Sequence, residues 1–281
     1  MKEIVSLQEM RAISASLRKN NQPVGFVPTL GFLHPGHISL IKEAVRRGHQ
    51  VVVSIFVNPL QFGPNEDIEK YPRDAMGDAQ KCRDAGVRLL FLPEADEIIG
   101  KNPLAMVKIE KLSERLCGAS RPGHFKGVAT IVLKLLNIVQ PDWLFMGAKD
   151  FQQTVIVRKM IHDFFIPVKL EVMPTVREPD GLAMSSRNGY LMPGERKAAR
   201  VLYRAMKKGE KTFHEGERRV SVLRAVIENE IKNEPLAKID YVRIVHPENL
   251  DEIEAVVREG VILLAVWIGK TRLIDNVKLN V

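Results

Sequence analysis

Apolar residues recur at helical spacing along residues 7–18 and then gather in a short run at 24–28 that reads as a buried strand. A turn holding glycine and histidine follows, and a helix is predicted over 36–47. The β-branched run at 51–57 is a strand, and the stretch 58–65, rich in Pro, Gly and Asn, is too polar and broken for a regular element. Helix is predicted again at 73–85 and strand at 88–92. The rhythm then repeats: helix at 128–139, strand at 143–145, helix at 151–164, strand at 168–173 and a polar loop at 177–188. Strand and helix in alternation imply a mostly parallel sheet with right-handed crossovers. Such a doubly wound sheet takes its ligand in the crevice beyond the carboxyl ends of its strands. The distinctive sequences of this chain fall after its first, second and later strands.

From Pro193 the pattern changes. Two charged amphipathic helices, 195–208 and 220–233, precede strands at 239–245, 261–269 and 272–278. The expected architecture is α/β, a doubly wound parallel sheet over residues 1–175 with a second, smaller α+β domain over 176–281. The join is expected within 175–192.

Composition narrows the class without choosing a function. The 281 residues are 45% hydrophobic and 27% charged, enough for one large or two smaller cores. No run of eighteen apolar residues occurs, and the most hydrophobic segment, 261–268, reads as a buried strand, so no membrane partner is expected. Met1-Lys2-Glu3-Ile4 lacks the apolar stretch of a signal peptide, which makes the cytoplasm the expected address. Cys82 and Cys117 have no metal-binding spacing and no disulfide framework. A net charge of +8 favours acidic partners such as nucleic acid, phosphorylated metabolites or ATP. The cations are scattered and aromatics are only 6%, which gives little for a stacking platform.

Four segments carry candidate chemistry. In Pro28-Thr29-Leu30-Gly31-Phe32-Leu33-His34-Pro35-Gly36-His37, two histidines bracket a Pro-Gly pair at a helix start. Pro35 suits the first helical position, Gly36 keeps bulk away from a ligand, and the helix N-terminus favours phosphate oxygens. Two imidazoles there could donate to a phosphorus centre as its charge grows. Chance pairing or metal binding are the competing readings, the latter lacking nearby ligands. Val57-Asn58-Pro59-Leu60-Gln61-Phe62-Gly63 follows the best strand, and Asn58 and Gln61 there serve either a ligand or only the loop backbone. In Met146-Gly147-Ala148-Lys149-Asp150-Phe151-Gln152-Gln153, Lys149 can neutralise phosphate, and Asp150 is also well placed as a helix cap. In Ala183-Met184-Ser185-Ser186-Arg187-Asn188, Arg187 can grip phosphate oxygens with two hydrogen bonds while Ser185 and Ser186 donate hydroxyls. Read without further context, such a polar loop is more often only a connection.

His34-Pro35-Gly36-His37 resembles the His-x-Gly-His signature of the nucleotidyltransferase superfamily, and the ten-residue block resembles the version carried by the pantothenate synthetase family. Leu30 stands where that family usually carries methionine, a swap that keeps volume and apolarity. Met184-Ser185-Ser186-Arg187 is similar to the superfamily's mobile second signature. The four blocks come in the family's order across residues 25–191. The resemblance implies a Rossmann-like fold and an ATP-dependent ligase that joins pantoate to β-alanine through a pantoyl-adenylate. It implies His34, His37, Lys149 and Arg187 as the catalytic groups. It places ATP against Pro28, Thr29, Leu30, Gly36, His37, Gly147, Lys149, Asp150, Val176, Met184, Ser185, Ser186 and Arg187, with Asp150 on the ribose. Pantoate falls to Gln61, Gln153, Asn58 and Leu30. Residues 66–74, with Tyr71, resemble the family's gate over the site, a lid that would shield an acyl-adenylate from water. Arg121-Pro122-Gly123-His124 matches a further family block, and Arg121 and His124 are expected to shape the site or a dimer rather than to touch substrate. Mg2+ with ATP and a homodimer are also implied.

Two rivals remain at this level. Another adenylyl- or cytidylyltransferase on the same core would keep the nucleotide on its acceptor, where a ligase releases AMP. A basic RNA-binding module related to tRNA synthetases would bind RNA in a salt-dependent way without ATP turnover.

Overall fold

The computed structural model describes residues 1–64 and 66–281; Asn65, the last residue of the predicted irregular stretch, lies outside them. Strand β1 (Lys2–Ile4) leads into helix α1 (Leu7–Lys19), then β2 (Val24–Thr29), α2 (Pro35–Arg46), β3 (Gln50–Ile55), α3 (Ala75–Asp84) and β4 (Leu89–Phe91). Short helices α4 (Ala95–Ile98) and α5 (Cys117–Ser120) precede α6 (His124–Val139), β5 (Trp143–Gly147), α7 (Phe151–Asp163) and β6 (Lys169–Met173). These six strands form one parallel sheet in the order β1-β4-β3-β2-β5-β6.

Alternation of side chains explains the layering. Phe26, Val52 and Leu144 point to the face covered by α1, α6 and α7, and their neighbours Val27, Val53 and Phe145 point to the face covered by α2 and α3. Both faces are therefore buried, and the strands read as nearly continuous apolar runs. The chain builds outward from β2 to β3 and β4, then returns to add β5 and β6 on the other side. The order thus reverses between β2 and β5, where a doubly wound sheet leaves its ligand crevice.

The C-terminal part comprises α8 (Pro193–Ala198), α9 (Val201–His214), α10 (Val220–Lys232) and the strands β7 (Ala237–Val245), β8 (Glu259–Ile268) and β9 (Thr271–Asn280). The strands form an antiparallel sheet, β7-β8-β9, over a core of their own that includes Leu202, Phe213, Ile227 and Leu264. The α/β class with a smaller α+β part is thus present. Among the described residues no helix is long and apolar enough to cross a membrane.

The sequence pattern misses the short helices α4 and α5 and the first turn of α6, and three further details. Strand β1 is too short to show a period and is held by pairing with β4. Pro59–Gln61 form a 3-10 turn inside the stretch read as irregular. The helix expected at 195–208 is two helices. Arg200 N–H bonds Lys197 O and Leu202 N–H bonds Ala199 O, each at 3.3 Å. These i to i+3 bonds tighten the backbone while the apolar spacing runs on through the break, and α9 continues to His214.

Candidate active site

Strand β2 ends at Thr29, beside the point of reversal. The turn after it uses left-handed backbone at Gly31 (φ +85) and at Phe32 (φ +51). A non-glycine residue held there needs support from around it. Asp78 on α3, fully buried, supplies that support by accepting from the Phe32 and Leu33 N–H groups, each at 2.7 Å. The Thr29 hydroxyl donates to Ser54 O on β3 at 2.8 Å and accepts from Gly31 N–H at 3.2 Å. The turn therefore delivers His34 to the cap of α2, with Pro35 as the first helical residue, as the sequence predicts.

The two imidazoles cap the helix reciprocally. His34 Nδ1 accepts from Gly36 N–H at 3.1 Å, and His37 Nδ1 accepts from His34 N–H at 3.3 Å. Their ring centroids lie 4.0 Å apart. Burial, and then the positive charge of Lys149, lowers the His34 pKa to about 4. Burial, and then its neighbour His34, lowers that of His37 to about 3. Both rings are neutral at pH 7. Because each Nδ1 accepts, each Nε2 carries the hydrogen, and the pair presents two neutral N–H donors.

Strand β5 ends at Gly147 across the crevice. A 3-10 turn, Ala148–Asp150, then carries Lys149 into the site at the start of α7. Lys149 Nζ lies 3.5 Å from Asp150 Oδ1. Asp150 occupies the cap position of α7 but makes no capping bond, so the helix-cap role open from sequence is not taken. The turn is gripped instead from β9, where the Asn276 amide donates to the carbonyls of Ala148 (2.9 Å) and Lys149 (2.8 Å). The C-terminal part carries no catalytic signature in its sequence, and no local signal marks Asn276.

The fourth segment folds back over the first. Ser186 Oγ donates to Phe32 O at 3.3 Å, Ser185 Oγ accepts from Arg187 N–H at 3.3 Å, and Met184 N–H bonds Val176 O at 3.0 Å. The Arg187 guanidinium forks onto Asp67 at 3.0 and 2.8 Å and lies 5.8 Å from the centroid of the Tyr71 ring. Tyr71 is buried.

Asn58 is fully buried and spends its amide on its surroundings: it donates to Gly127 O (3.2 Å) and Gln61 Oε1 (3.1 Å) and accepts from Leu60 N–H (3.0 Å). It holds Gln61 in place as well as lining the cavity. Gly127 on α6 makes this approach possible, since a Cβ there would stand 2.1 Å from Leu60 O. The Gln61 carbonyl accepts from His124 Nδ1–H (2.8 Å) and from Arg121 (3.3 Å), and Arg121 in turn donates to His124 Nε2 (3.0 Å). Burial and the Arg121 charge lower the His124 pKa to about 4.

Every site residue named from the sequence lines one cavity of about 230 Å3, from Pro28, Thr29 and Leu30 through His34, Gly36 and His37 to Asn58, Gln61, Tyr71, Gly147, Lys149, Asp150, Gln153, Val176 and Met184–Arg187. An apolar wall of Phe56, Val128, Ile131, Val132 and Leu135 completes it. Those α6 residues were legible only as core, because their spacing is that of any buried helix face. A larger cavity of about 480 Å3 lies against the C-terminal sheet and shares Arg121, His124, Lys149, Asp150, Gln153, Ser185 and Arg187 with the first.

A family model described as pantoate-beta-alanine ligase matches residues 2–278. The chain belongs to this family. A curated pantothenate synthetase of Heliobacterium modesticaldum is 50% identical over the full length of both chains, and that of Carboxydothermus hydrogenoformans is 48% identical, also over both full lengths. The solved pantothenate synthetase of Thermus thermophilus superposes with a TM-score of 0.92 at 42% identity and 99% coverage of each chain. The Francisella tularensis pantoate-beta-alanine ligase, solved with beta-gamma ATP and beta-alanine, superposes with a TM-score of 0.82 at 37% identity, covering 99% of this chain and 97% of that one. As a member of the family, the chain is an ATP-dependent ligase of pantoate and β-alanine.

Proposed function

We propose that the ligase works in two steps in the smaller cavity, with the roles distributed as the family resemblance implies. The carboxylate of pantoate attacks the α-phosphorus of ATP, the bond to the β-phosphate oxygen breaks, and pyrophosphate leaves. The amine of β-alanine then attacks the acyl carbon of the pantoyl-adenylate, loses a proton and expels AMP. A carboxylate is already ionised at neutral pH, so the first step calls for charge stabilisation more than for a base.

What most supports this reading is the state of the paired imidazoles. As neutral N–H donors at the N-terminus of α2, His34 and His37 can follow the charge that grows on the α-phosphate, and Lys149 and Arg187 take the pyrophosphate oxygens. Gln61 and Gln153 are suited to the hydroxyls and carboxylate of pantoate, because a primary amide both donates and accepts. The apolar wall on α6 suits the geminal methyl groups of the same substrate. Asp150, free of capping duty, is available to the ribose.

Among the described residues no three His, Cys, Asp or Glu side chains converge as a metal cage. The family resemblance implies magnesium that would come with ATP through its phosphates. So bound, it would share the charge of the phosphates. We place the enzyme in the cytoplasm as a homodimer, divided near residue 175 into a nucleotide- and pantoate-binding domain and a small C-terminal one. Light scattering tests the assembly.

The deciding assay follows pyrophosphate, AMP and amide product. Pyrophosphate exchange with pantoate alone, and AMP plus amide once β-alanine is added, are expected. His37→Ala or Lys149→Ala lowers exchange on the order of a hundredfold. Full activity in either variant overturns these roles.

A further inference from the structure

We infer that Arg121 reads the carboxylate of the amine substrate, and that Glu66 holds its place when that substrate is absent. The inference rests on the two-step reading above. β-Alanine is a zwitterion, and its carboxylate needs a cation at a fixed distance from the acyl carbon. Lys149 and Arg187 are taken by phosphates in that reading. Lys270 and Arg272 line only the larger cavity and not the smaller one in which the acyl group is held.

Arg121 stands where the geometry wants such a group. It lines both cavities, and so forms part of the wall through which an amine coming from the larger one meets an acyl group held in the smaller one. It donates at 3.3 Å to the backbone carbonyl of Gln61, the residue whose side-chain amide is assigned to pantoate. His124, bonded on one side to Gln61 O and on the other to Arg121, fixes the guanidinium in its plane.

The fork already holds a carboxylate. Arg121 Nε and Nη2 donate to the two oxygens of Glu66 at 2.8 and 2.5 Å, with only 15% of the arginine side chain exposed. A guanidinium shaped to a carboxylate in this way accepts another of the same geometry and rejects a neutral amide. Glu66 belongs to the segment that crosses the site, and its neighbour Asp67 occupies Arg187 in the same manner. Glu66 and Asp67 thus each sit on a cation that an anionic substrate would claim.

The experiment separates the amine-dependent half of the reaction from the first. In the full-length enzyme β-alanine should be preferred over 3-aminopropanamide, its neutral counterpart, by at least about tenfold in kcat/KM, the discrimination a charge-assisted fork provides. In Arg121→Met the KM for β-alanine should rise by at least about tenfold and the preference over the amide should vanish, with the pantoate KM in pyrophosphate exchange moving less than twofold. Retained preference, or a parallel rise of the pantoate KM as expected of a mere anchor for the crossing segment, overturns the assignment. Glu66→Gln provides an independent check if the methionine variant does not fold: it should lower the KM for β-alanine, and an unchanged or raised KM counts against the inference. Loss of exchange in the unmutated enzyme would instead overturn the two-step reading itself.

Discussion

The side-chain amide of Asn276, on the last strand of the chain, donates to the carbonyl oxygen of Lys149 at 2.8 Å. With its second bond, to Ala148 O, it fixes from the C-terminal sheet the turn that presents the lysine to the cavity. Asn276→Ala leaves both carbonyls without that donor. Two hydrogen bonds of about 1 kcal/mol each are lost, and pyrophosphate exchange should fall roughly tenfold as Lys149 loosens. Asn276→Asp, which cannot donate, should match the alanine variant; wild-type rates in both would show that the turn holds itself.

Asp78 makes a comparable contribution beneath the first signature. Asp78→Ala strands the Phe32 and Leu33 N–H groups under a turn with left-handed backbone. Chemical denaturation should show a loss of about 3 kcal/mol. Asp78→Asn retains one acceptor oxygen and should fall between the two. Equal stability of all three proteins would mean that water satisfies the turn.

Gly127 tests how closely α6 must approach the loop that bears Gln61. A methyl group there meets Leu60 O at 2.1 Å and Gln61 N at 2.7 Å, both backbone atoms that cannot swing aside. Gly127→Ala should cost about 1–3 kcal/mol of stability and raise the KM for pantoate, with little change in that for ATP. Equal increases in both constants would point to general loosening.

The histidines set a pH signature. In the unfolded chain imidazoles titrate near 6.5, whereas in the fold burial and neighbouring charge bring His34 and His124 to about 4 and His37 to about 3. Between those limits the unfolded state binds more protons, so the contribution to stability is complete above about pH 6.5 and is lost as pH falls through about 4. Melting temperatures of the ligand-free enzyme should drop over that window, less steeply in His37→Asn. The kcat/KM for ATP in exchange should show no inflection near pH 6.5, since the imidazoles are already neutral there. An inflection lost in His37→Asn would contradict the neutral-donor assignment.

The parts legible in the sequence share a short range. β2, β3 and α2 declare themselves through β-branched runs and helical spacing, and Pro35 announces a helix start because its missing N–H has no partner to lose there. The signature residues could be named because each block is contiguous and resembles the family's, and that likeness supplied their expected roles. What stayed hidden was either too short to have a period, as with Lys2–Ile4, or concealed by one that continued, as where Ala199 and Arg200 divide α8 from α9. Asp78 and Asn276 left no trace, because a buried Asp in a helix and an Asn in a strand look the same whether or not they hold a catalytic turn.

By itself, then, the sequence determined the alternation of elements, the parallel sheet and the kinds of groups that would meet a phosphate. Tertiary structure decided which groups share a cavity and what state they are in. Strand order sets β2 beside β5, 118 positions apart along the chain, a pairing that the bond from Val24 N–H to Asp142 anchors at their amino ends. Burial then sets the imidazoles neutral. Both follow from long-range packing, which excludes water and fixes distances that no local spacing along the chain encodes.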